Sequence, residues 1–288
     1  MGAFPVTEFF SAVARYDFLQ YAVITGLLAS VACGVVGSYV VTRRISYVAG
    51  AISHFVLGGM GAARYLNVVH GWSFLQPLHG AMISALMAAV IIGLVSLKAR
   101  EREDTAIGAL WAIGMAAGIL FISQTPGYNQ DLMSYLFGNI LMVSIGDIYL
   151  IAALDALVIL IGLLFYNQLL AVCFDEEFAR LRGVNVELFY LLLLCLTALT
   201  VVILVNVVGT VMVIALITLP AAVAGHFTST LWRMMLLATV LSMAFTIIGL
   251  GVSYGPNLPA GATIIIVAGI IYIGVTFGSR LFARASIH

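Results

Sequence analysis

ISYVAGAISHFVLGGMGAA, residues 45–63, is apolar enough to enter a bilayer, yet it carries one ionisable side chain, His54, and four glycines. An α-helix brings residues three and four apart onto one face. Gly50, His54, Gly58 and Gly61 therefore form one line with the imidazole inside it. Small residues let a neighbouring helix approach closely, and they leave open space on both sides of the ring. Ionisable groups within membrane helices face the bundle interior or an aqueous path and mark function. Neutral imidazole is also the commonest metal ligand. A histidine hydrogen-bonded to a nearby helix carbonyl would satisfy the same pattern, and one nitrogen does not make a metal site.

The rest of the chain places this stretch in lipid. Of 288 residues 63% are hydrophobic and 8% charged, against roughly a quarter charged in a soluble domain. Twelve Lys and Arg balance twelve Asp and Glu, so no net field attracts nucleic acid. Apolar runs at 19–42, 45–66, 79–98, 105–123, 147–168, 189–208, 211–227, 234–253 and 262–279 approach or exceed the roughly twenty residues that cross a hydrocarbon core. The reading is an all-α polytopic membrane protein, a bundle of eight or nine crossing helices forming one domain over 1–288. Residues 1–18 read as an interfacial segment with aromatic anchors. A cleaved leader is not expected, because Glu8, Arg15 and Asp17 interrupt any apolar core.

Basic residues orient the bundle. Arg43 and Arg44, Lys98 to Arg102, Arg180 and Arg182, Arg233, and Arg280 and Arg284 mark the cytoplasmic ends. The segment 131–145 then fits as a half-helix on the outer side, because a full crossing there would reverse the later charges. Pro220 lies inside a span, and broken backbone at membrane depth is tolerated where protein or a water-filled cavity satisfies it. Asp155 falls eight residues beyond Asp147, about 12 Å deeper along a helix. It could assist a cation, be protonated, or pair with a hydroxyl. Asn139 and Asn206 sit near outer ends, and His70 and His79 lie in an outer loop with Trp72. His226 reads as an interfacial histidine. Cys33, Cys173 and Cys195 form no ligand spacing.

Beyond residue-by-residue chemistry, RRISYVAGAISHFVLGGMG (43–61) resembles the second-helix signature of the permease subunits of ABC importers for zinc, manganese and iron. EDTAIGALWAIGMAAGILF (103–121), DLMSYLFGNILMVS (131–144), FDEEFARLRGVNV (174–186), VVGTVMVIALITLPAAVA (207–224) and GVSYGPNLPAG (251–261) follow the same family in order. The resemblance implies a multi-pass protein of the bacterial cytoplasmic membrane with no permanently bound cofactor. Its cargo would be a divalent transition metal, moved by alternating access through a homodimeric pore. An extracytoplasmic metal-binding protein would deliver the metal. ATP would be hydrolysed on separate cytoplasmic subunits, since the chain lacks a G-x-x-x-x-G-K-[ST] loop and is not itself an enzyme.

Carried onto this sequence, the resemblance places the metal pathway at His54 with Gly50 and Gly58, to which the depth of Asp155 adds that carboxylate. Asn139, in the SYLFGN block, fits an outer gate role and equally a helix cap. The ATPase coupling helix maps to 174–187, where Glu177, Ala179 and Gly183 keep the E-A-A-x-x-x-G spacing and Phe174, Phe178 and Leu181 supply apolar contacts. Family members commonly hold an Asp four residues before the histidine; Gly50 stands there instead. A site without that carboxylate is softer and suits zinc better than manganese, and a second His54 across a dimer axis would add a nitrogen. A proton-coupled secondary carrier with Asp155 and His54 as relays is the rival reading, and it would work without an ATPase.

Overall fold

The structure, a computed structural model, describes residues 5–98, 103–126, 138, 140–256 and 258–285. Among these the regular elements are helical: α1 Pro5–Arg15, α2 Asp17–Thr42, α3 Ser46–His70, α4 Pro77–Lys98 and α5 Glu103–Ser123 in the first half. A 3-10 turn at Ile140–Met142 precedes α6 Ile145–Leu164, α7 Tyr166–Phe174, α8 Glu176–Leu181, α9 Val186–Val208, α10 Thr210–Phe227, α11 Leu231–Tyr254 and α12 Ala260–Ala285. Eight of them, α2, α4, α5, α6, α9, α10, α11 and α12, are long and apolar enough to cross a membrane. The ninth expected span is α3. It has the length, with 25 residues, but His54, its serines and its glycines dilute the hydropathy.

One expectation changes, and another falls mostly outside the described residues. The fifth span does not run to residue 168: α6 stops at Leu164, Phe165 leaves helical geometry (φ −113°, ψ 22°), and α7 begins at Tyr166. The physical reason is local composition, since Tyr166, Asn167 and Gln168 belong at an interface rather than in hydrocarbon. Most of 131–145, including Asn139, lies outside the described residues. What is described there is Gly138 and a single 3-10 turn that leads into α6. Ser144 and Asp147 close a reciprocal cap on the start of α6, satisfying two donors that no helical carbonyl reaches.

Lipid offers apolar side chains no worse a home than protein does, so helix association rests on close packing. Accordingly α2 is the hub, packing on α6, α10 and α11, while α3 packs on α4 and α5; α9 and α10 join the two groups. Several buried hydroxyls are satisfied within their own helix, whereas Thr25 Oγ1 and Ser242 Oγ have no partner. Ser30, Ser38, Thr197, Thr200 and Thr246 each donate to the carbonyl four residues back. Phe9 of α1 is buried against Tyr254 of α11, with ring centroids 5.9 Å apart, which ties the first helix to the bundle.

Candidate functional site

His54 is buried, and its ring lies parallel to the indole of Trp111 on α5, with centroids 4.5 Å apart and 14° between planes. The glycine line on α3 faces the same helix. A Cβ on Gly58 would stand 2.9 Å from the carbonyl oxygen of Gly114, and one on Gly61 would stand 2.9 Å from that of Gly118. On the outer side of the imidazole the glycines therefore serve helix contact, not open space. Of the two uses expected for Gly58, close helix approach is the one made and open space is absent, because α5 carries its own glycines in matching positions and the two backbones close together.

The other side of the ring differs. A cleft of about 630 Å³ reaches Gly50 and Trp111 and is lined also by Arg44, Tyr47, Thr218 and Tyr272. It opens beside the α2–α3 turn, the end marked cytoplasmic by basic residues. At that turn Arg44 holds a left-handed backbone (φ 63°). Among the described residues, no three His, Cys, Asp or Glu side chains converge to hold a metal ion. Cys33 and Cys173 are buried thiols. Burial pushes the Cys173 thiol up to about 12, against a smaller lowering from Arg43, so this group on α7 stays protonated and inert.

Asp155 is not gathered with His54. Its Oδ1 accepts a hydrogen bond from the Ala32 backbone N–H at 3.1 Å, and its Oδ2 is buried without a partner. The carboxyl thus sits between α6 and α2, whereas His54 faces α5. Asp155→Asn is expected to keep metal uptake within about twofold, since a carboxamide oxygen still accepts from Ala32 and no charge is lost from the cleft. An uptake loss comparable to that of a His54 variant would restore Asp155 to the route. His226 is exposed at the end of α10, and His70 and His79 lie exposed around the α3–α4 loop, where His79 Nδ1 approaches Phe74 O at 3.1 Å. None joins His54.

Within 174–187, Glu176–Leu181 forms the short capped helix α8, while Phe174 ends α7 and Val186 opens α9. Asp175 accepts from Phe178 N at 3.0 Å to start α8, and Gly183 ends it in left-handed geometry (φ 76°) with Val184 N donating to Ala179 O. Only glycine takes that backbone without strain. Ala179 is fully buried, while Phe174, Phe178 and Leu181 are 67%, 49% and 88% exposed and Glu177 is exposed. Three apolar side chains thus stand exposed together, Phe174 from the end of α7 and Phe178 and Leu181 from α8. Sequence reasoning missed Trp111, although it stands in a quoted block. The available signal was register: Trp111 is as far from the start of α5 as His54 is from the start of α3.

Comparison with known proteins agrees over nearly the whole chain. Residues 15–279 match the ABC 3 transport family. An uncharacterized membrane protein of Synechocystis sp. is 42% identical over 90% of each chain. A probable metal transport system membrane protein of Chlamydia pneumoniae is 40% identical over 86% of this chain and 85% of its own. The manganese transport system membrane protein MntC of Halalkalibacterium halodurans is 35% identical over 93% and 89%. Among solved structures, PsaBC from Streptococcus pneumoniae in complex with Fab superposes with a TM-score of 0.82 at 31% identity, covering 94% of this chain and 95% of that one. With its helix order, its membrane-crossing composition and its sequence all in agreement, this chain is a multi-pass membrane protein that belongs to the ABC 3 transport family.

Proposed function

We propose that the chain is the membrane-spanning subunit of an ATP-driven importer of a divalent transition metal. The observation that carries this reading is an imidazole held at membrane depth beside a cleft that opens on the basic end of the bundle. The relatives named for metal and manganese transport supply the cargo class. One chain offers one imidazole at this level, so two copies about a shared axis give the cation two nitrogens. That donor set favours borderline cations such as zinc over manganese, with iron between them. ATP is hydrolysed on separate cytoplasmic subunits, against which Phe174, Phe178 and Leu181 dock with Glu177 beside them. An extracytoplasmic metal-binding protein loads the outer face, where Asn139 acts as gate. The N-terminal helix α1 lies along the interface.

Reconstitution tests the reading directly. Liposomes holding this chain with its ATPase subunits and binding protein are expected to accumulate zinc, manganese or iron only when ATP is supplied. Liposomes holding the chain alone are expected to show no uptake under a proton gradient. Proton-driven uptake by the chain alone would end the proposal in favour of a secondary carrier.

A further inference from the structure

We propose that Trp111 is the inner gate of the route: its indole, seated on Gly50 and stacked on His54, closes the passage between the imidazole and the cytoplasm-facing cleft. That a metal travels the passage rests on the function proposed above. The closure itself rests on geometry alone.

Three observations meet at this ring. First, the cleft wall includes Gly50 and Trp111 but not His54. His54 lies eight residues into α3 from Ser46, and Trp111 eight residues into α5 from Glu103, both about 12 Å from the inner helix ends. The cleft ends at the indole, whose six-membered ring reaches Gly50, one turn inward of His54, with the imidazole stacked against it. Second, Trp111 is 39% exposed although it is stacked on a buried partner, so part of the residue remains open. Third, a Cβ on residue 50 would come within 3.3 Å of Trp111 Cζ3 and 3.6 Å of Cη2. Gly50 is the seat of the ring. Any side chain at that position would press its Cβ on the indole, which would have to give by a few tenths of an ångström; glycine lets the ring rest there undisturbed.

Both halves of α5 are packed: above Trp111, Gly114 and Gly118 lie in backbone contact with α3, and below it Ile107 is 4% exposed. Opening therefore falls to the indole itself, whose side-chain rotation draws it off Gly50. An apolar ring across a narrow route blocks hydrated ions by excluding their water. Once displaced, its π-face attracts a cation instead of opposing it.

Cysteine accessibility tests the gate without metal or ATP, so its outcome is independent of whether uptake is ever observed. His54→Cys is introduced in the full chain, and inside-out membrane vesicles are treated with an impermeant thiol reagent, the parent chain giving the background. Labelling of His54→Cys is expected to be slow with Trp111 present, to rise about tenfold or more with Trp111→Ala, and to stay slow with Trp111→Phe. Tyr47→Cys at the cleft mouth is expected to label quickly in all three backgrounds, which reports a folded chain with an open cleft. Equal labelling of His54→Cys with and without the indole, beside fast labelling at Tyr47→Cys, overturns the assignment.

Discussion

His54→Ala is expected to abolish metal uptake while the chain still inserts and assembles. Losing a group that merely orients a metal ligand costs roughly 10–100-fold, and here the ligand itself is removed, twice over in a two-copy assembly. Loss through misfolding must be separated from loss of the donor, and the stacked geometry allows it. His54→Phe keeps a flat ring at 4.5 Å from the Trp111 centroid but has no nitrogen for a cation. It should match His54→Ala in uptake and match the parent chain in thermal stability. Transport assays on vesicles with equal amounts of assembled protein make the comparison. Wild-type uptake by the phenylalanine variant would mean that the ring packs and does not bind, and the site would have to lie elsewhere.

The largest structural penalty is expected where α2 meets α10. Gly37 of α2 faces the Ile217 carbonyl of α10, so closely that a Cβ there would lie 3.0 Å from the carbonyl carbon and 3.3 Å from the Cα. Both contacts are backbone, and backbone does not swing aside. Gly37→Leu must therefore push α2 off α10, at the junction of the hub with the helix bearing Pro220. Overpacking costs about 1–3 kcal/mol where side chains relax; with no such relief the loss should reach about 3 kcal/mol or more. Gly274→Ala on α12, where nothing lies within 4 Å, is the control and should shift stability by less than about 1 kcal/mol. Heating detergent-solubilised protein and following the loss of the monodisperse species reads both. Unchanged melting of Gly37→Leu would show that α2 and α10 are not held at this distance.

Hydrophobic length made the helices legible, because a stretch of apolar residues in lipid has no alternative to a helix that satisfies its own backbone. The 147–168 span failed at its end for the same reason in reverse. A run of apolar letters does not show where the membrane stops, and Tyr166-Asn167-Gln168 marked the edge only faintly. The glycine line on α3 was found, but its use was half misread. Spacing gives the face of a helix and never the identity of what covers it, so the partner glycines of α5 and the indole over Gly50 were invisible until α5 was in place. Asp155 illustrates the converse: its depth was readable, whereas its bond to the Ala32 N–H depends on which side of α2 meets α6. Gly183 needed no tertiary information, since a helix stop and its glycine are local chemistry.

Arg43 draws the cytoplasmic end together. Its guanidinium pairs with Glu176 of α8, donates to the Val172 carbonyl of α7 at 3.1 Å, and lies 5.2 Å from the centroid of the Tyr190 ring on α9. A planar fork meets three such partners at once, where an ammonium could not. Only Arg44 and Ile45 then separate this anchorage from the first residue of α3. A push against α8 therefore has a short, stiff load path, through one strut, to the base of the helix that carries the imidazole.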